Sequence, residues 1–169
     1  LNPIIYTTYN INPIIDFDDQ AYYEFIYAKY LYVFAYKFEN DVFYQAKVHC
    51  AKASNLLIAS KNSLHDDIDI LYAILLRYEG KLNDSVELLK KVLDNQLKHL
   101  VPDKTCQTAL ELGAIYRELT RFDDAMTVYE KIENTCNLSA YWNARLKLNT
   151  GIILKNRLQL RISEGNVSF

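Results

Sequence analysis

The side chains able to do chemistry are few and scattered. His49 and Cys50 are adjacent, a pairing that could begin a metal site. Adjacent residues on a helix point about 100° apart, however, and no second pair completes a tetrahedral set. His65 and His99 fall near predicted element ends, where a histidine caps the backbone or meets solvent. Asp66, Asp67 and Asp69 suggest a cation site, but the EF-hand spacing and its glycine are absent. They read as the acidic start of a helix, which the helix dipole favours. No Gly-rich phosphate loop, HExxH or GxSxG occurs. No spacing assembles a nucleophile, a base and an oxyanion donor. The chain is therefore expected not to be an enzyme, and no cofactor or metal is assigned to it.

Two other patterns carry more. Arg77 and Arg117 stand 40 residues apart. If they occupy one position of successive helical units, they could hold a carboxylate or an acidic peptide through charge-assisted hydrogen bonds. The competing reading is a pair on a rim, solvated or bonded to Glu79 and Glu118. The second pattern is aromatic: nine of the 17 residues from Tyr22 to Phe38 are Tyr or Phe. A surface helix needs one apolar stripe, and this one is apolar nearly all round. Either its neighbours cover it on both sides, or Tyr22, Tyr30 and their like form an interface with another chain, a homo-oligomer included.

The elements that must position these residues are helices. Gly and Pro total seven in 169 residues, too few for the turns of an all-β chain. Apolar periodicity predicts helices over about 19–39, 41–60, 65–79, 83–98, 104–119, 122–135 and 138–162. Before them, Asn2-Pro3-Ile4-Ile5 recurs as Asn12-Pro13-Ile14-Ile15, which reads as an arm over 1–18 lying on the first helices.

Charge and cysteines bound the setting. Nineteen basic residues against 21 acidic leave a net charge of −2, not the basic stripe that nucleic acid wants. Arg145, Lys147, Lys155, Arg157 and Arg161 give the last helix a local positive charge, read as a solvated face or a contact with an acidic partner. Three dispersed cysteines do not make a disulfide framework and suggest reduced thiols, in the cytoplasm or the nucleus. The most hydrophobic stretch is interrupted by Glu24, Lys29 and Lys37, so no membrane span is expected. A chain that begins with Leu reads as a fragment of a longer one.

The turns align with one another. Glu39-Asn40-Asp41, Glu79-Gly80-Lys81, Leu119-Thr120-Arg121 and Glu164-Gly165-Asn166 each end an odd-numbered helix, with Phe43, Leu82, Phe122 and Val167 shortly after. A period near 40 means stacked helical hairpins. Within the third unit, Leu112-Gly113-Ala114-Ile115-Tyr116, followed by Phe122, Ala125 and Tyr129, resembles a tetratricopeptide repeat. Ala73, Gly80, Leu82, Ser85 and Leu89 repeat the pattern more weakly, and Phe43, Ala46 and Ala53 more weakly still.

The resemblance implies an all-α, right-handed superhelical stack of about four antiparallel hairpins over residues 19–169. It also implies a job, protein or peptide binding in a scaffold or adaptor. The first helix of each hairpin would line the concave side, with Ile70 and Leu110 at one level, Ile74 and Ala114 on the next turn, and Arg77 and Arg117 beyond them. An alternative job on the same fold is sensing a short peptide and controlling an effector or DNA-binding domain elsewhere in a longer chain.

Overall fold

The computed structural model describes residues 16–35, 40–57, 64–99 and 101–165. Among them are seven α-helices and no strand: α1 (Phe17–Ala35), α2 (Asn40–Leu56), α3 (Leu64–Tyr78), α4 (Leu82–His99), α5 (Pro102–Glu118), α6 (Phe122–Thr135) and α7 (Ala140–Ser163). Of the expected arm, residues 1–15 lie outside the described residues, as do the turn at 61–63 and Val167. α1 starts at Phe17, two residues before the predicted start, and the helix dipole welcomes Asp18 and Asp19 in its first turn.

Sequence explains the better-defined helices directly. In α4 the buried Val86, Leu89, Val92 and Leu93 recur at helical spacing, and in α6 Phe122, Ala125, Tyr129 and Ile132 do the same. Pro102 opens α5, where its missing N–H leaves no bond unmade. Gln96, buried on α4, accepts a hydrogen bond from the Thr108 hydroxyl of α5 at 2.8 Å, while its Nε2 finds no partner among the described residues.

The aligned turns share a backbone device. Gly80, Thr120 and Gly165 all take the left-handed conformation, with φ of 76°, 57° and 71°. After α3, Gly80 N–H donates to Arg77 O at 3.0 Å and Lys81 N–H to Leu76 O at 3.0 Å. After α5, Thr120 N–H donates to Arg117 O at 3.1 Å and Arg121 N–H to Tyr116 O at 2.8 Å. Both are Schellman caps, which close the last carbonyls of a helix and reverse the chain. A β-branched threonine is strained there, by about 1–2 kcal/mol. Thr120→Gly should raise stability by about 0.5–1 kcal/mol, after the added unfolded-state entropy of glycine is subtracted. A lower urea midpoint for the variant would contradict this account of the turn.

Small residues sit where helices of one hairpin cross. The Ser85 hydroxyl donates to Ala73 O at 2.6 Å between α3 and α4. Between α5 and α6, a Cβ on Gly113 would lie 2.0 Å from Tyr129 Oη and 2.3 Å from Cζ.

Two apolar clusters result. One joins α1 and α2 to Leu64, Ile68, Leu71 and Leu75 of α3. The other starts from Ile70 and Ala73 of the same helix and runs through α4, α5 and α6 to Leu146 and Ile153 of α7. Each helix packs on its neighbours in sequence. Successive odd helices also approach one another (α1 with α3, α3 with α5, α5 with α7), whereas the backbones of successive even helices stay apart among the described residues.

Candidate functional site

The odd helices bring a polar network to one side of the stack. Arg77, in the last turn of α3, directs Nε at 2.9 Å and Nη2 at the same Glu118 Oε1 on α5. Its Nη1 lies 3.8 Å from Glu111 Oε2. The bond to Glu118 is the main cause that holds the guanidinium more firmly protonated than usual. Beside it, the Tyr32 hydroxyl of α1 shares a hydrogen bond with Tyr78, and burial first, then that bond, pushes its pKa up to about 12. Phe43 of α2 stacks on Tyr78 with ring centres 5.3 Å apart.

Arg117 occupies the same place one unit later and meets a different fate. It is half-buried and makes no hydrogen bond or ion pair among the described residues. Arg77 is answered by two carboxylates of the next odd helix, α5. The odd helix after Arg117 is α7, and Ala140–Ser163 contains no acidic residue at all. The Arg117 charge acts instead on Tyr129, whose hydroxyl pKa burial drives up to about 12.

Glu111 lies within the network. Its side chain is one-third exposed, at 34%. Desolvation raises its pKa above the usual 4.5, with Arg77 and Arg145 pulling the other way. A carboxyl whose folded pKa is raised favours the folded state below its unfolded pKa and loses that contribution as pH rises through the folded value. Glu111→Gln should therefore stabilise the fold at neutral pH, with the gain vanishing well below pH 4.5. Thermal melts of both proteins at the two pH values check it; equal melting at neutral pH would show that Arg77 compensates the burial.

The remaining sequence candidates separate into core and surface. Ile70 and Leu110, expected on a groove floor, are buried in the core at 8% and 7% exposure. Ile74 and Ala114 are half-buried beside them. The close approach of the odd helices covers the first pair and leaves the second at the edge. Tyr22 and Tyr30 are exposed, each at 53%. Tyr27 stacks with Tyr30 and meets the His49 ring edge-on at 4.6 Å, while His49 Nδ1 bonds Glu24.

Cys50 turns away from His49 into the core, where burial pushes its thiol up to about 12. Asp67 pairs with Lys104 at 2.9 Å and Asp66 accepts from Asn95 at 3.0 Å, so the acidic helix start is spent on neighbours. An open cleft of about 540 Å³ beside them mixes Asp66, Asp69 and Asp94 with Lys91 and Lys98 and favours no one sign of ligand.

Sequence reasoning named Arg145 only for its charge. In the structure its guanidinium lies over Tyr141 and Trp142, 5.7 and 5.4 Å from the ring centres, and Nη1 donates to Tyr141 Oη at 3.0 Å. The signal was present as aromatics three and four residues before an arginine on one helix. No family model, curated protein or solved structure matches the chain.

Proposed function

We propose that this chain is a non-enzymatic binding module, a tetratricopeptide-like stack whose odd helices form the concave side and hold a carboxylate-bearing peptide of a partner protein. The repeat reading is supported by the shared left-handed caps at Gly80 and Thr120 and by the close contact of Gly113 with Tyr129. Curvature toward the odd side follows if helices that approach one another mark the inner radius and helices that stay apart mark the outer one.

The observation that carries the peptide reading is the half-buried Arg117, which makes no hydrogen bond or ion pair among the described residues. A buried cation without an anion is costly, and an incoming carboxylate removes that cost while gaining paired N–H···O bonds. Arg145, held over two rings of α7, supplies a second cation whose charge reaches the same region, since both it and Arg77 act on Glu111.

The test is a titration with a library of peptides ending in free or amidated carboxyl groups. Arg117→Ala should weaken the binders by about 1.5–3 kcal/mol, roughly 10- to 100-fold. Arg77→Ala should weaken them by about 0–1 kcal/mol, because Glu118 already holds that side chain. A partner whose affinity ignores Arg117 and terminal amidation would remove the mechanism.

A further inference from the structure

Among the described residues, the first and last helices carry exposed apolar stripes of opposite charge. Along α7, Tyr141, Leu148, Leu158 and Ile162 are 60%, 64%, 52% and 45% exposed, and their spacing puts them on one stripe. Lys155 lies within that stripe and Arg161 beside it, both exposed and without an ion pair among the described residues. The helix has five basic residues and no acidic one. Gly151 opens a gap in the stripe: nothing lies within 4 Å of a Cβ built there.

On α1 the exposed stripe is Tyr22, Ile26, Tyr30 and Val33, with the exposed Asp19 at its N-terminal end. Asp16 and Asp18 add to that end, and Lys29 is the one basic residue of the helix.

We propose that a second copy of this chain docks head to tail, with α1 of one copy lying antiparallel on α7 of the next. Asp19 to Val33 and Lys155 to Tyr141 each span 14 residues, about 21 Å of helix. Antiparallel docking therefore sets Asp19 against Lys155, Ile26 against Leu148 and Val33 against Tyr141 in one register. Tyr22 then falls opposite Ile152, next to the gap at Gly151. The acidic start of α1 meets the basic C-terminal half of α7, and the two helix dipoles oppose. Such a contact joins two different patches, so each copy keeps one patch free after pairing.

The experiment is sedimentation velocity on the 169-residue chain over a range of concentrations and two salt levels. The wild-type mass should rise with concentration and fall with salt. Ile26→Asp blocks the α1 face and Leu148→Asp blocks the α7 face; both positions are exposed, so circular dichroism and melting should stay unchanged. Each variant alone should be monomeric. Their mixture should form a 1:1 complex and stop there, because each supplies the face the other lacks. Asp19→Lys and Lys155→Asp should each weaken association, and the double variant should recover it. A wild-type chain that stays monomeric, a mixture that stays monomeric, or a Leu148→Asp variant that still dimerises through α1 alone would each overturn the proposal.

Discussion

Gly113→Leu should unfold the third hairpin, and Gly113→Ala should already destabilise it. The β-carbon of an alanine would fall 2.0 Å from Tyr129 Oη, 2.3 Å from Cζ and 2.6 Å from Cε1, so the whole ring must move, not only its tip. Tyr129 is 2% exposed and has little free space to move into. Overpacking of this kind costs about 1–3 kcal/mol, against which alanine recovers about 1 kcal/mol of helix propensity. A leucine at 113 has no such offset large enough and should exceed the upper figure.

The preceding unit contains the remedy. Forty residues earlier the same two positions hold Ala73 and Leu89, both at 0% exposure, a larger residue on one helix matched to a shorter one on the other. Tyr129→Leu should accordingly rescue Gly113→Ala. In a double-mutant cycle by urea unfolding, the coupling should be about 1–2 kcal/mol in favour of the pair. Strict additivity would mean that the two units do not share one packing scheme.

Ile153→Ala should loosen α7 from the body. This 24-residue helix has two fully covered side chains, Leu146 and Ile153, at 1% and 2% exposure. Trp142 and Leu160 add partial contacts at either side. Removing the larger part of one anchor costs about 2–5 kcal/mol, and few other contacts share the load. Amide exchange should therefore quicken along α7 while α4 and α5 keep their protection. Leu158→Ala, at 52% exposure on the same helix, should change stability by less than about 0.5 kcal/mol. Loss of protection throughout the chain on Ile153→Ala would show that α7 is integral to the main core.

Helices were legible because the signals agreed: periodicity in α4 and α6, acidic first turns, Pro102 at the start of α5. The turn alignment was legible through Gly80 and Gly165, and it carried Thr120 with it, although threonine gives no hint of a left-handed backbone. The start of α1 at Phe17 rather than 19 was not legible, since Asp16, Asp18 and Asp19 suit several cap positions equally well. The depth of Ile70 and Leu110 was not legible for a different reason. Periodicity tells which face of a helix is apolar, not how close the next helix comes, so it does not reveal that Ile70 and Leu110 are almost wholly covered. Arg77 and Arg117 look equivalent in sequence because their own helices are alike. What separates them is the helix each one meets: Glu111 and Glu118 stand on α5, and α7 has no counterpart.

Among the described residues, the two apolar clusters share only α3. Ile68, Leu71 and Leu75 look toward α1 and α2, while Ile70 and Ala73 look toward the rest. Coupling of the halves through these apolar clusters therefore runs through one 15-residue helix. A ligand or a second copy that tilts α3 is felt on both sides; one that acts elsewhere is felt on its own side. The Arg77 contact with Glu118 bridges from that same helix to α5, so it acts as a latch on the shared element as well as a neutralised charge. Among the described residues, the apolar core thus turns on one axle rather than on the whole stack.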